Sequence, residues 1–412
     1  MFAVLSVKNL LFVSIAFPPK NDPECIQTAR YFHYLKESKE FDITVVTSKT
    51  PTLFMPEDAS LMKYKVDPKN LIDIPIIESR YLNFFLRRIG LGNLLFPDSK
   101  MTFHWQWRKV IKNNKVRPDL IYSRSNPISS AFMAKKLKRY YQCPWIMHLS
   151  DPWALSPLNE VNDTNRARHL EMEHSIIEEA DIITFTTEQT KELYKLHYPE
   201  ASFKFHVFPN VYDPKEISMH SKSMGKKLRI VYTGGLVGKR SVFFLEEVLN
   251  SLCKLLPSYH EKIEFIFAGD VDRENKRFFD KGLAGVKHVG LLSYDKTKKL
   301  CQTAHLLMVV DNPTKPSDAI FFPSKVLDYF LSKRKIWAVT PLGSTTREVL
   351  SGYHHEAFEH TEIDAMVQSL LKSIFQASTD SDYFQGNYLP EQFSALSNAQ
   401  RLAQLISGKI LS

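Results

Sequence analysis

Residues 10–20 read LLFVSIAFPPK, an apolar run closed by two prolines. With a lysine at position 8, the start of the chain resembles a secretory leader. The run is only eight residues long, however, stops at Phe17 and lacks a small-residue cleavage signature. It is also far short of the ~20 apolar residues that span a membrane. A short run of this kind, ended by Pro18-Pro19, fits a strand buried on both faces, as in a parallel sheet.

Similar runs recur. DITVVTS at 42–48, DLIYSR at 119–124 and PWIMHLS at 144–150 are each followed by a helical pattern, and DIITFTT at 181–187 and FKFHVFPN at 203–210 close the first half. A polar stretch rich in Lys, Ser and Met follows, and the alternation then restarts. LRIVYTGG at 228–235, IEFIFAGD at 263–270, VKHVGLL at 286–292, HLLMVVD at 305–311 and KIWAVTP at 335–341 supply a second set of strands. Strands alternating with helices predict doubly wound α/β sheets, and 412 residues exceed one ordinary core. The expected architecture is α/β, two Rossmann-like doubly wound domains facing a cleft. The first spans 1–208, a linker 209–227, and the second 228–394, with a closing helix at about 395–412 packing back on the first. No low-complexity segment or short repeat is visible.

Hydrophobic residues make up 44% and charged residues 24% of the chain, the balance of a globular protein. Cys25, Cys143, Cys253 and Cys301 lie far apart, which fits a reducing compartment and gives no zinc spacing. A net charge of +9 admits nucleic acid, a membrane surface or anionic substrates as partners. Its distribution is more informative: residues 80–150 carry fourteen Lys and Arg against two acids, Asp98 and Asp119. Within them RYLNFFLRRIGLGNLLF, at 80–96, interleaves arginines with aromatic and aliphatic residues. Amphipathic segments of this type settle in an anionic membrane interface, so the basic region 80–139 is expected to dock there. Ordinary surface helices with solvated charges are the plainer alternative.

In open α/β sheets ligands bind beyond the carboxyl ends of the strands, which directs attention to 18–30, 123–129, 150–153, 234–240, 269–270 and the segment FPSKVLDYFLSKRKIWAVTPLGS at 322–344. There Pro323 opens a helix, Ser324 caps it, and Lys325 and Asp328 fall three apart on one face. Backbone N–H groups and the dipole favour an anion at such a start. Lys325 adds a point charge, and Asp328 can accept hydroxyl hydrogen bonds from a sugar, which reads as a nucleotide-diphosphate site. A solvated Lys/Asp pair is the bland alternative. Gly235 sits in a turn where a backbone approaches a ligand closely, and Lys239 and Arg240 offer charge to a departing diphosphate. Asp151, fixed by Pro152 and Trp153 after a strand, is placed to bind acceptor hydroxyls or act as a base; His148 stands two residues earlier on the strand. Thr28 and Arg30 begin the first helix, facing a phosphate or the acceptor, or flanking the core.

These motifs resemble, in order and over nearly the whole chain, the family 4 glycosyltransferases of the GT-B fold that include bacterial capsule and lipopolysaccharide enzymes. LLFVSIAFPPKNDPECIQTARYFHYL is similar to that family's opening. PDLIYSRSNPISSAFMAKKL with CPWIMHLSDPWAL resembles its paired strands and Asp-Pro-Trp turn, and EEADIITFTTEQTKELYKLHYP with PNVYD the end of its first domain. VYTGGLVGKRS resembles its diphosphate-holding glycine turn, and FPSKVLDYF its donor-site helix. The resemblance implies transfer of a sugar from a nucleotide-diphosphate donor to a glycan or lipid-linked acceptor in surface polysaccharide biosynthesis. It also implies retention of configuration, no cofactor and no metal, at the inner face of the cytoplasmic membrane. Asp328 stands where the second Glu of the family's Glu, seven residues, Glu pattern holds the ribose. The first position falls on Ile320, which leaves Asp318 as the neighbouring acid, and a cleft His of many members falls on Ser150. A sugar-nucleotide 2-epimerase of the same fold is the main alternative. A basic nucleic-acid-binding protein lacks any recognised module here, and a dinucleotide-dependent oxidoreductase lacks its glycine fingerprint after the first strand.

Overall fold

The structure, a computed structural model, describes residues 7–49, 55–90, 96–158, 163–217, 225–386 and 390–409. The chain divides into two compact units. Each is built on a parallel sheet whose strands are near-continuous apolar runs, because helices cover both faces.

In the first unit the strands are β1 (Lys8–Val13), β2 (Phe41–Ser48), β3 (Leu71–Ile74), β4 (Leu120–Ser125), β5 (Trp145–Leu149), β6 (Ile182–Phe185) and β7 (Phe205–Val207). They lie side by side in the order β3-β2-β1-β4-β5-β6-β7. The helices are α1 (Pro23–Glu37), α2 (Arg80–Arg88), α3 (Thr102–Trp105), α4 (Trp107–Asn113), α5 (Ser129–Tyr141), α6 (Asp163–Glu179) and α7 (Glu188–His197). Asp22 caps α1 by accepting from Glu24 N, with Pro23 in the first turn, and Asp98 accepts both the backbone N–H and the hydroxyl of Ser129 at the start of α5. One face of the sheet packs Leu11, Val13, Val46 and Met147 with residues of α4 to α7. The other packs Phe12, Tyr122 and Ile146 with Tyr31, Phe32 and Leu35 of α1.

The second unit repeats the plan with β8 (Leu228–Thr233), β9 (Ile263–Ala268), β10 (Val286–His288), β11 (Leu306–Val310), β12 (Lys335–Val339) and β13 (Glu356–Phe358), in the order β10-β9-β8-β11-β12-β13. Its helices are α8 (Phe244–Leu255), α9 (Tyr259–Lys262), α10 (Arg273–Asp280), α11 (Tyr294–Gln302), α12 (Lys325–Leu331), α13 (Thr345–Ser351) and α14 (Ile363–Thr379). In both sheets the strand order reverses beside the first strand, at β1/β4 and at β8/β11. These are the switch points where α/β sheets open a crevice at their carboxyl ends.

The first unit takes residues up to 211 and those from 392 onward; the second runs from Tyr212 to Glu391. The stretch 209–227 is therefore shared, and its start is held firmly. Tyr31 Oη donates to Pro209 O at 2.8 Å, Arg30 Nη1 to Val211 O at 2.7 Å, and Val211 N to Gln27 Oε1 at 2.6 Å. Further on, Glu216 accepts from Tyr294 and Lys298 of α11, and 218–224 lie outside the described residues. The last helix, α15 (Ala395–Lys409), puts Ala399, Leu402 and Ile406 into the core with α1; 410–412 lie outside the described residues. Among the described residues no helix is long and apolar enough to cross a membrane.

Candidate functional site

In the second unit the polar groups gather at the switch point. β8 ends in Thr233, and Gly234 and Gly235 turn the chain away. Gly234 has φ +107, and a side chain there would bring its Cβ within 3.0 Å of Lys325 Nζ. Gly269, just past β9, has φ +144, and a Cβ on it would lie 2.2 Å from the Gly234 carbonyl oxygen. Glycine at both places is a steric requirement. Gly235 meets neither demand; its carbonyl accepts from Tyr232 Oη at 3.0 Å.

Lys325, the first residue of α12, folds inward beneath this turn. Its ammonium lies 3.9 Å above the Tyr232 ring, sealed from solvent and without a hydrogen-bond partner. Burial, reinforced by the Arg240 guanidinium, holds its pKa well below the ordinary lysine value, while the Asp311 carboxylate pulls the other way. Asp311 follows β11 and accepts from Thr340 Oγ1 at 2.7 Å; Thr340 in turn shares a 2.6 Å bond with Ser344. Arg240 Nε is likewise buried without a partner. Tyr329 anchors α12 to the strands, its hydroxyl accepting from Thr233 N at 2.9 Å and donating to Met308 O at 3.2 Å. Two cations, one carboxylate and an aromatic face thus meet at the ends of β8 and β11.

In the first unit a second cluster lies at the ends of β4 and β5. Arg124 is fully buried; its Nε donates to Glu24 at 3.0 Å, its Nη1 to Tyr122 Oη at 3.3 Å, and its plane lies over Tyr31. Its Nη2 has no partner. Burial raises the Glu24 pKa, and the Arg124 charge opposes that. Strand register sets His148 beside Arg124. His148 Nδ1 bonds Thr184 Oγ1 at 2.9 Å, and its buried Nε2 is unpartnered. Burial and Arg124 hold this imidazole well below the usual histidine range, so it is neutral at physiological pH. Asp151 is exposed, and Asn126 Nδ2 donates to it at 3.2 Å.

Several residues sit differently from what their spacing suggests. Ser324 makes no side-chain cap bond; it is itself helical, and α12 opens through Val326 N to Pro323 O and Leu327 N to Ser324 O. Lys325 does not face solvent with Asp328. Asp328 is half-buried and helps raise the Cys301 thiol, already pushed up by burial, to about 12. Lys239 is exposed in the loop beyond Gly235. Thr28 and Arg30 are fully buried: Thr28 Oγ1 donates to Glu24 at 3.3 Å, and Arg30 holds Val211. Ile320 is buried, and Asp318 accepts from Ser317. Sequence reasoning passed over Tyr232, Asp311, Glu24 and Arg124. Two of these carried a signal: an acid immediately after the apolar run HLLMVV, and a lone arginine inside the strand pattern LIYSRS.

No protein-family model matches the chain, and no curated protein matches it in sequence. Solved structures do. HepE of Anabaena, determined with UDP and glucose, matches with TM-score 0.61 at 13% identity, over 97% of this chain and 99% of that one. The sucrose-phosphate synthase of Thermosynechococcus elongatus gives 0.62 at 15% identity, over 97% and 98%. The chain has a two-domain GT-B-like fold. A candidate UDP-N-acetylglucosamine 2-epimerase of Listeria monocytogenes also matches, at TM-score 0.56 and 13% identity over 97% and 96%. A GT-B-like fold therefore does not by itself separate a transferase from an epimerase.

Proposed function

We propose that this chain is a glycosyltransferase that moves a sugar from a nucleotide-diphosphate donor to a glycan or lipid-linked acceptor in surface polysaccharide synthesis, with retention of configuration. The observation that carries the reading is the Lys325 ammonium, held dry and unpartnered over Tyr232 with Arg240 close by. Taking a cation out of water is costly, and a fold that does so without a partner is ready for an anion. A diphosphate supplies one and accepts charge-assisted hydrogen bonds from both cations. HepE, which shares the fold, is known with UDP and glucose.

In this reading Lys325, Arg240 and Lys239 hold the diphosphate, Ser324 and Gly235 line its place, and Asp328 takes the ribose hydroxyls. The bond from the anomeric carbon to the diphosphate oxygen breaks and a bond to the acceptor oxygen forms. The acceptor proton leaves with the diphosphate, whose negative charge the cations stabilise as it develops. Asp151 orients the acceptor hydroxyl, with His148 as a neutral hydrogen-bonding neighbour. Thr28 and Arg30 act indirectly, by fixing Glu24 and the 209–211 segment. The protein works in the cytoplasm, on the inner face of the membrane.

Thermal-shift titration with UDP, GDP, ADP and dTDP tests the donor site. At least one diphosphate raises Tm by several degrees at a hundredfold excess over Kd, and Lys325→Ala and Asp328→Ala lose the response. A wild type that no diphosphate stabilises, or variants that respond like it, rejects the assignment. The 2-epimerase is the second reading, supported by the structural match to the Listeria monocytogenes protein. Incubation with nucleotide sugars alone separates the two, since only an epimerase converts them without an acceptor.

A further inference from the structure

A cation sealed from water can lower its cost in two ways: an anion comes to it, or it gives up its proton. Buried ionisable groups ordinarily take the second way. The pocket around Lys325 favours that loss in the free protein. Gly234 lies against Nζ, the N–H donors of Nζ meet no acceptor, and the Tyr232 ring at 3.9 Å offers a single π face in place of a water shell.

The neighbours that bear on its charge come from several elements. The loop after β8 brings the Arg240 guanidinium, a fixed positive charge that disfavours a second one. The end of β11 brings the Asp311 carboxylate, which favours the ammonium, yet its bond runs to Thr340 Oγ1 and none reaches Nζ. Helix α11 brings the Cys301 thiol, pushed up to about 12 by burial with help from Asp328 of α12, and so uncharged at physiological pH. The phenols of Tyr232 on β8 and Tyr329 on α12 are kept protonated by burial as well. Burial and Arg240 together outweigh Asp311, and the ammonium is disfavoured.

We propose that nucleotide-diphosphate binding is coupled to proton uptake at Lys325: in the free protein the side chain exchanges between amine and ammonium, and the bound diphosphate draws it to the ammonium. The inference rests on the donor-site reading. A diphosphate brings negative charge beside Nζ and accepts from it, so it restores the proton that burial removes. The sign follows from linkage. Affinity is level at low pH, where Lys325 is protonated with or without ligand, and it falls as pH rises through the free-state value, by at most about tenfold per unit for one proton. The nucleotide is therefore held less tightly over the same range in which the free fold gains stability.

Titration calorimetry of the full chain with UDP, GDP, ADP and dTDP, from pH 7 to 8.5 in Tris, Tricine and TAPS, tests the coupling. These buffers differ in ionisation enthalpy, so the dependence of the heat on buffer counts the protons. The last phosphate ionisation of such ligands lies near ~6, and their own titration fades across this window. The wild type takes up protons with at least one nucleotide, up to about one per molecule bound, and its Kd weakens with pH to match. Lys325→Arg, whose guanidinium keeps its charge, binds without uptake and with a level pH profile. Asp311→Asn removes the opposing carboxylate, so the fall in affinity comes at lower pH; this variant keeps the test decisive when arginine does not fit the pocket. The proposal is overturned if the wild type binds with no uptake, if Lys325→Arg takes up as many protons as wild type, or if Asp311→Asn keeps the wild-type profile. Nucleotide binding without uptake rejects the coupling alone, whereas binding of none of the four rejects the donor site and the coupling with it.

Discussion

Lys325 shows what one side chain adds to a sequence motif. Spacing put it on a helix face with Asp328, and a lysine on such a face is usually solvated. Its four-carbon stem instead carries the ammonium under Gly234 and onto the Tyr232 ring, a choice that no spacing rule contains because it depends on a turn and a strand far away in sequence. A dry, unpartnered ammonium is destabilising until an anion arrives. Lys325→Met is therefore expected to raise the stability of the free protein by about 1–3 kcal/mol, the cost of one unsatisfied buried polar group, while abolishing the response to diphosphates. The pH dependence has a definite sign. The folded pKa of Lys325 lies below its unfolded value, so the unfolded chain binds more protons in the window up to 10.5, and stability rises with pH across it. Lys20, bonded to Ile15 O and Ser48 O and lowered by burial to about 8, acts in the same direction. Denaturant melts from pH 7 to 10.5 should show a rise that is smaller, and carried by Lys20, in Lys325→Met; an unchanged rise and unchanged stability would show that Lys325 is solvated.

Elements were legible wherever the sheet buries them on both faces. The runs at 42–48, 144–150 and 228–235 appear as β2, β5 and β8 within a residue or two. The edge strands β3 and β13, of four and three residues, were too short to leave a run, and they form because a neighbouring strand supplies their hydrogen bonds. Burial inside helices was harder to read. Glu173 lies among charged residues of α6 and looks solvated, yet it is fully buried. It accepts from Tyr194 Oη at 2.6 Å, Ala154 N at 3.0 Å and Tyr198 Oη at 3.2 Å, and so ties the turn after Asp151 to α6 and α7. Burial raises its pKa to about 7. Since the folded value lies above the unfolded one, the stabilisation is complete below about 4.5 and lost as pH rises through 7. Glu173→Gln keeps the shape and removes the titration, so between pH 5 and 8 it should flatten a fall of about 3 kcal/mol in unfolding free energy. Parallel slopes in wild type and variant would show that Glu173 stays ionised.

Across the whole molecule the charge is unevenly spread. Residues 80–150 carry a larger positive excess than the entire chain, so the remainder is net acidic. That asymmetry was plain in the sequence; which apolar residues accompany it was not, because RYLNFFLRRIGLGNLLF reads equally as a half-buried helix. The structure leaves Tyr81, Phe84 and Phe85 of α2 exposed, at positions that share one helix face, with Arg88 one turn on and Ile89 beside it. Residues 91–95 of that segment lie outside the described residues. Trp105 of α3 is exposed as well. Aromatic side chains entering the headgroup boundary, with basic residues adding ~1 kcal/mol each near an anionic leaflet, give a reversible attachment. The chain should therefore co-sediment with phosphatidylglycerol-rich vesicles and not with pure phosphatidylcholine. Binding should fall severalfold between 0.1 and 0.5 M salt as screening shortens the reach of the charges. Phe84→Ser/Phe85→Ser should remove most of it at either salt, and Arg88→Glu should reduce it chiefly at low salt. Equal binding to both vesicle types, or a double serine variant that sediments like wild type, would separate the basic region from the membrane and leave its charge to a soluble acidic partner.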